Sequence, residues 1–116
     1  FNLTTSQAYH LLSIPFDGIS MSGLAFKLGL DNSTLTRNIQ KLEKLDLVKR
    51  HVDDYDKRIQ KILLTKMGIS LLNSLEAHLE HETNTIIEQI DLDTQEHIIT
   101  VLENLSWALS CFRGKP

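Results

Sequence analysis

The sequence predicts a mainly α-helical domain interrupted once by a two-stranded β-hairpin. Three observations predict it. Apolar residues recur at spacings of three and four along most of the chain, which is the period of one buried helix face. Only residues 48–52 and 58–64 turn to short apolar and β-branched runs, joined by the charged stretch Asp53 to Lys57. Two Pro and five Gly in 116 residues leave room for few turns.

In order along the chain, Thr4 or Thr5 can cap a first helix to about Ile14, with Ala8, Leu11 and Leu12 on one face. Pro15 to Gly18 ends it. Ser20 can cap a short second helix through Leu28, and Gly29 suits the positive φ of its end. Asp31 or Asn32 caps a third helix whose Leu35, Ile39, Leu42 and Leu45 form one buried stripe. Asp46 follows, an Asp where a left-handed residue is expected. A short helix, a Gly turn and a longer helix with a polar outer face is the helix-turn-helix arrangement. After the hairpin, Thr65 can cap a long helix from about Lys66 to Ile90, with Leu72, Leu75, Leu79, Ile86 and Ile90 in its stripe. Asp91 to Asp93 break it, and Thr94 is the expected cap of a last helix. There Ile98, Leu102, Leu105, Leu109 and Phe112 make the seam of a helix packed along another helix.

The length bounds one domain with a modest core. No apolar run approaches the roughly 20 residues of a membrane span, and no secretory leader pattern opens the chain. A single cysteine, Cys111, excludes an intramolecular disulfide and fits a reducing cytoplasm. The net charge of −3 hides a basic middle. From Lys27 to Lys66 there are ten Lys and Arg against six Asp and Glu, and the remainder is acidic. Polyanion binding is read from that local excess rather than from the pI.

The stretches LAFKLGLDNSTLTRNIQKLEKLDLVKR (24–50) and DDYDKRIQKILLTKMG (53–68) resemble the MarR family of bacterial transcriptional regulators. The second is the more specific. Asp53, Asp56, Lys57, Arg58, Leu64, Thr65 and Gly68 fall at the spacing of that family's wing and the Leu-Thr-x-x-Gly after it. The chain departs from the pattern at Asp46, where the family usually has Gly, and in lacking a further N-terminal helix ahead of residues 1–5. The resemblance implies a winged helix-turn-helix with a two-stranded β wing and long terminal dimerisation helices. On that reading residues 1–116 form a single domain, with a DNA-binding lobe at about 20–65. Residues of about 66–113, with the N-terminal segment, form the dimerisation part.

The expected partner is double-stranded DNA, read at a pseudo-palindromic operator by a homodimer. Arg37 and Asn38 can pair bidentately with guanine and adenine and are the expected base readers. Ser33, Thr34 and Thr36 stand near the helix start, where hydroxyls meet phosphates or bases. Lys41, Lys49, Arg50 and Lys57 are the expected phosphate partners. The family motif puts the minor-groove arginine at Arg58, positioned by Asp56. Against this, a polar helix face is ordinarily a solvated one, and Asp56 with Arg58 can be no more than a hairpin ion pair. Tyr55 at the tip touches sugar or is simply exposed. A winged helix serving protein–protein contact without DNA is the competing reading, separable by salt dependence.

The resemblance also implies a small-molecule effector, for which Leu11, Phe16, Trp107 and Phe112 are candidate lining residues and equally plain core. His78, His81 and Glu82 share a helix face but do not complete a metal site, so no metal or cofactor is expected. Phe112 and Trp107 beside Cys111 suggest a packed, inert thiol. No nucleophile elbow, P-loop or zincin motif is present, so no enzyme is expected.

Overall fold

The structure, a computed structural model, describes residues 2–114. Phe1 and residues 115–116 of the expected domain lie outside the described residues. The described elements are α1 (Thr5–Leu12), β1 (Ile19–Ser20), α2 (Met21–Leu28), α3 (Asn32–Lys44), β2 (Val48–Val52), β3 (Gln60–Leu64), α4 (Lys66–Ile87) and α5 (Leu92–Arg113). They fall into two compact units, residues 1–76 and 77–116, divided within α4.

In the first unit, α1 starts on a reciprocal cap. Thr4 Oγ1 accepts from the Gln7 N–H, and Gln7 Oε1 accepts from the Thr4 N–H. Leu11 and Ile14 join Leu24, Ala25, Leu35, Ile39, Leu42, Leu47, Val48, Ile62 and Leu64 in one core. Lys27 on α2 ties this helix down by donating to the Ser13 carbonyl oxygen at 2.8 Å. Of the expected α3 stripe, Leu35, Ile39 and Leu42 are fully buried, whereas Leu45, at the helix end, is exposed.

The sheet has three strands in the order β1-β3-β2, all antiparallel, and not the expected two. Ile19 pairs with Ile62 and Ser20 with Lys61. Two residues are too few to show an alternating pattern, so β1 exists only because β3 offers it an edge.

The junction to α4 explains the Leu-Thr-x-x-Gly stretch. Asp46 has φ 59°, as its position suggested. The turn it makes presents its carbonyl to Thr65 Oγ1 at 2.6 Å, while the Thr65 N–H donates to the Leu47 oxygen at 3.1 Å. Thr65 Oγ1 also accepts from the Gly68 N–H, capping α4. A Cβ on Gly68 would lie 2.0 Å from the Leu47 oxygen. Only glycine lets the first turn of α4 press that close to the start of β2.

The second unit is a helical pair. Its first helix ends at Ile87, short of the expected Ile90, and α5 is capped by Asp91 rather than Thr94. The Asp91 carboxylate accepts from the Thr94 hydroxyl at 2.6 Å and N–H at 3.0 Å, and these bonds hold its pKa below the ordinary range. Thr94 fails as the cap because it already lies inside the helix, three residues beyond it. Gln95 Nε2 donates to the Ile87 and Ile90 carbonyl oxygens, closing the end of α4. The stripe expected to be a packed seam is open within the chain. Leu102, Leu105, Leu109 and Phe112 are all more than half exposed. Cys111 is exposed as well, which corrects the expectation of a packed thiol. Its aromatic neighbours Trp107 and Phe112 are themselves bare. No described helix is long and apolar enough to cross a membrane.

Candidate nucleic-acid interface

The buried stripe of α3 seats that helix on the core and turns its polar residues outward. Its start is fixed by Asp31, whose Oδ1 accepts from the Thr34 N–H at 2.7 Å and the Ser33 hydroxyl at 2.9 Å. Those bonds, the Thr34 N–H first, hold the Asp31 carboxyl below its ordinary pKa. The preceding turn is closed by Gly29 at φ 66°. The Ser20 hydroxyl oxygen accepts from the Gly23 N–H at 3.0 Å and caps α2.

The wing tip is built from carboxylates. Asp53 Oδ2 accepts from the N–H groups of Tyr55 and Asp56, and the Asp53 N–H donates to the Ile59 oxygen. Asp56 then takes three bonds from one residue. Its Oδ1 accepts from the Arg58 N–H and Nε at 3.0 Å, and its Oδ2 from Nη2 at 2.9 Å. The guanidinium beside Asp56 lowers the carboxyl pKa, and the carboxylate raises that of Arg58. Arg58 remains 89% exposed while Asp56 is 33% exposed. The fork consumes two of the five guanidinium N–H groups and leaves the others free in a fixed direction. Tyr55 is bare at the tip.

Between α3 and the wing lies an open groove of about 400 Å³. Asn32 and Thr36 line it from α3, Val52, Lys57, Arg58, Ile59 and Gln60 from the wing, and Ser20, Met21 and Ser22 from the start of α2. The structure therefore brings Thr36, Lys57 and Arg58 together. Ser33 and Arg37 lie on the exposed side of α3, where Arg37 Nη2 donates to Thr34 Oγ1 at 3.5 Å. Lys41 is exposed but lines a separate cleft beside α1.

Three more of the expected contacts are engaged or placed elsewhere. Asn38 is half-buried and turned to α1, where its Nδ2 meets His10 Nε2 at 3.1 Å. His10 Nδ1 bonds the Ser6 carbonyl oxygen, which can only accept, so Nδ1 carries a hydrogen and Nε2 of the buried ring faces the Asn38 amide. Asn38 braces α1 against α3. Arg50 donates from Nε at 2.9 Å and Nη2 at 2.7 Å to Glu43 Oε1, clamping β2 to α3. Lys49 alternates with Arg50 and Val48 and so lies on the sheet face away from α3, opposite Leu63.

Asn32, Ser20, Ser22 and Gln60 escaped the sequence reading, and so did exposed Gln40. A signal existed for two of them: Asn32, Thr36 and Gln40 recur at intervals of four, one stripe of a helix. Among candidate effector residues, Leu11 is fully buried in the core and Phe16 is 80% exposed, and neither lines the groove or the cleft beside α1. Among the described residues no three His, Cys, Asp or Glu converge as metal ligands.

The model of the MarR family matches residues 5–60. The structure of MarR superposes with a TM-score of 0.83 at 23% identity, covering 97% of this chain and 78% of that one. The transcriptional regulator SlyA gives 0.79 at 20% identity, over 97% and 80%. S. aureus MepR in complex with DNA gives 0.73 at 25% identity, over 94% and 81%. The same S. aureus protein bound to ethidium bromide gives 0.70, also at 25% identity, over 94% and 80%.

Proposed function

We propose, for a chain that carries a MarR-family segment over residues 5–60, that it is a sequence-specific DNA-binding transcriptional regulator acting as a homodimer. The observation that carries the reading is the Asp56–Arg58 fork. It aims a permanently charged guanidinium out of the wing while Thr36 and Asn32 of α3 line the other wall of the same groove. A helix in the major groove and a wing arginine in the adjacent minor groove is what that arrangement fits. The DNA complex of MepR, at 25% identity, supports it.

The homodimer is supported by the second unit, in which none of the described residues of α5 is buried and the Leu102–Leu105–Leu109–Phe112 stripe is bare. A homodimer that reads successive major grooves needs its two α3 helices roughly 34 Å apart, so the operator is a near palindrome. Repression, with release by a small effector, is the outcome favoured. The ethidium-bound MepR supports a small-molecule ligand. Such a ligand must bind one dimer state better than the other.

The test is a mobility-shift titration on a selected operator and on random duplex at several salt concentrations. Wild type binds with a steep salt dependence. Arg58→Ala weakens binding to every duplex and reduces the slope of log K against log salt by about 0.9 per protomer, or about 1.8 for the dimer. A flat salt response in wild type would exclude the DNA reading and leave a protein-binding module.

A further inference from the structure

We infer that Asn32, Thr36 and Gln40 form a reading stripe for A·T pairs in each half-site, with Gln40 in the adenine-reading role while Asn38 is held by His10. The inference rests on the DNA-binding reading above and names the base class that one face of α3 recognises.

The three residues stand four apart on one helix. At about 1.5 Å rise per residue, neighbours in the stripe are separated by about 6 Å. That is close to two base steps at about 3.4 Å each, so a helix lying in the groove can address alternate base pairs. Asn32 and Thr36 already line the groove that holds Arg58, and Gln40 continues their line on the exposed side.

Hydrogen bonding within the chain sorts the candidates. Asn38 is occupied by His10, and the Ser33 hydroxyl by Asp31. Among the described residues the side-chain amides of Asn32 and Gln40 have no such partner. A free Gln or Asn amide offers one donor and one acceptor side by side, the complement of adenine N7 and N6. Between them, Thr36 Oγ1 donates to the Asn32 carbonyl oxygen at 2.7 Å. Its hydrogen is committed there, so the hydroxyl can only accept, and the γ-methyl can meet the C5-methyl of thymine. Arg37, on the neighbouring stripe, keeps the guanine-reading role.

The experiment selects bound duplexes from a random pool with wild type, Gln40→Ala, Gln40→Glu and Asn38→Ala, and measures each enriched duplex against single-base variants. Wild type should enrich a half-site with an adenine that it prefers by roughly 5- to 150-fold. Gln40→Ala should lose that preference alone, with random-duplex affinity and melting temperature unchanged. Gln40→Glu should shift it toward cytosine, whose N4 amino group a carboxylate accepts from. Asn38→Ala should return the wild-type motif. The inference is overturned if Gln40→Ala keeps the adenine, if it weakens all sequences equally, or if Asn38→Ala is the variant that erases it. A wild type that enriches no motif overturns the regulator reading itself, so the two failures are distinguishable.

Discussion

Replacing Gly68 by alanine sets two physical effects against each other. Helix propensity favours the change, since alanine inside a helix is worth about 1 kcal/mol over glycine. The packing opposes it. The added Cβ would stand 2.0 Å from the Leu47 oxygen and 3.0 Å from its carbonyl carbon. An ordinary C···O contact is about 3.3–3.6 Å, so the first turn of α4 has to retreat by more than about 1 Å. The retreat strains the bonds Thr65 makes to Leu47 and Asp46, and the cap it gives Gly68. Overpacking costs about 1–3 kcal/mol and a lost cap about 0.5–2 kcal/mol. After the propensity gain the net loss is about 2 kcal/mol, or a fall in Tm of about 10 °C for a domain of this size. Thermal unfolding followed by circular dichroism measures it, with protein concentration held fixed because dimerisation shifts Tm. A Gly68→Ala protein that melts at or above wild type would refute the close-approach account of this glycine.

Three further outcomes follow from other contacts. The Asp56 pKa is depressed by Arg58. The order this pair gives the wing is therefore complete above the ordinary aspartate value of about 3.9. It is lost only as pH falls through the lower folded value. An NMR titration of the Arg58 amide should be flat from pH 7 to about 4.5 and move below that; movement centred near pH 6 would contradict it. Asn38→Ala should cost about 1 kcal/mol in denaturant unfolding, because buried His10 Nε2 loses its hydrogen-bond partner. No loss at all would mean the brace carries no weight. Leu105→Asp, on the bare α5 stripe, should turn a sedimenting dimer into monomer and weaken operator binding at fixed protein concentration. A variant that still sediments as the wild-type dimer would move the interface elsewhere.

Residue order alone determined the helices, the left-handed residues Gly29 and Asp46, and the caps whose chemistry is local, such as Ser20 and Thr65. Each depends on neighbours within four positions, where periodicity and turn preference act. It also determined that a basic hairpin follows a polar helix, whereas Arg58 and Asp56 were singled out by the hairpin's resemblance to a family motif. Tertiary structure decided what depends on phase against a distant element. Asn38 and Gln40 are chemically alike and two residues apart, yet contact with His10, twenty-eight positions away, makes one a brace and leaves the other free. Strand parity did the same for Lys49 and Arg50, with Glu43 taking the arginine. The two-residue strand β1 and the glycine pressed on Leu47 were settled only by the surfaces they meet. A residue's identity fixes what it can bond, but which partner comes within about 3 Å is a property of the packed chain.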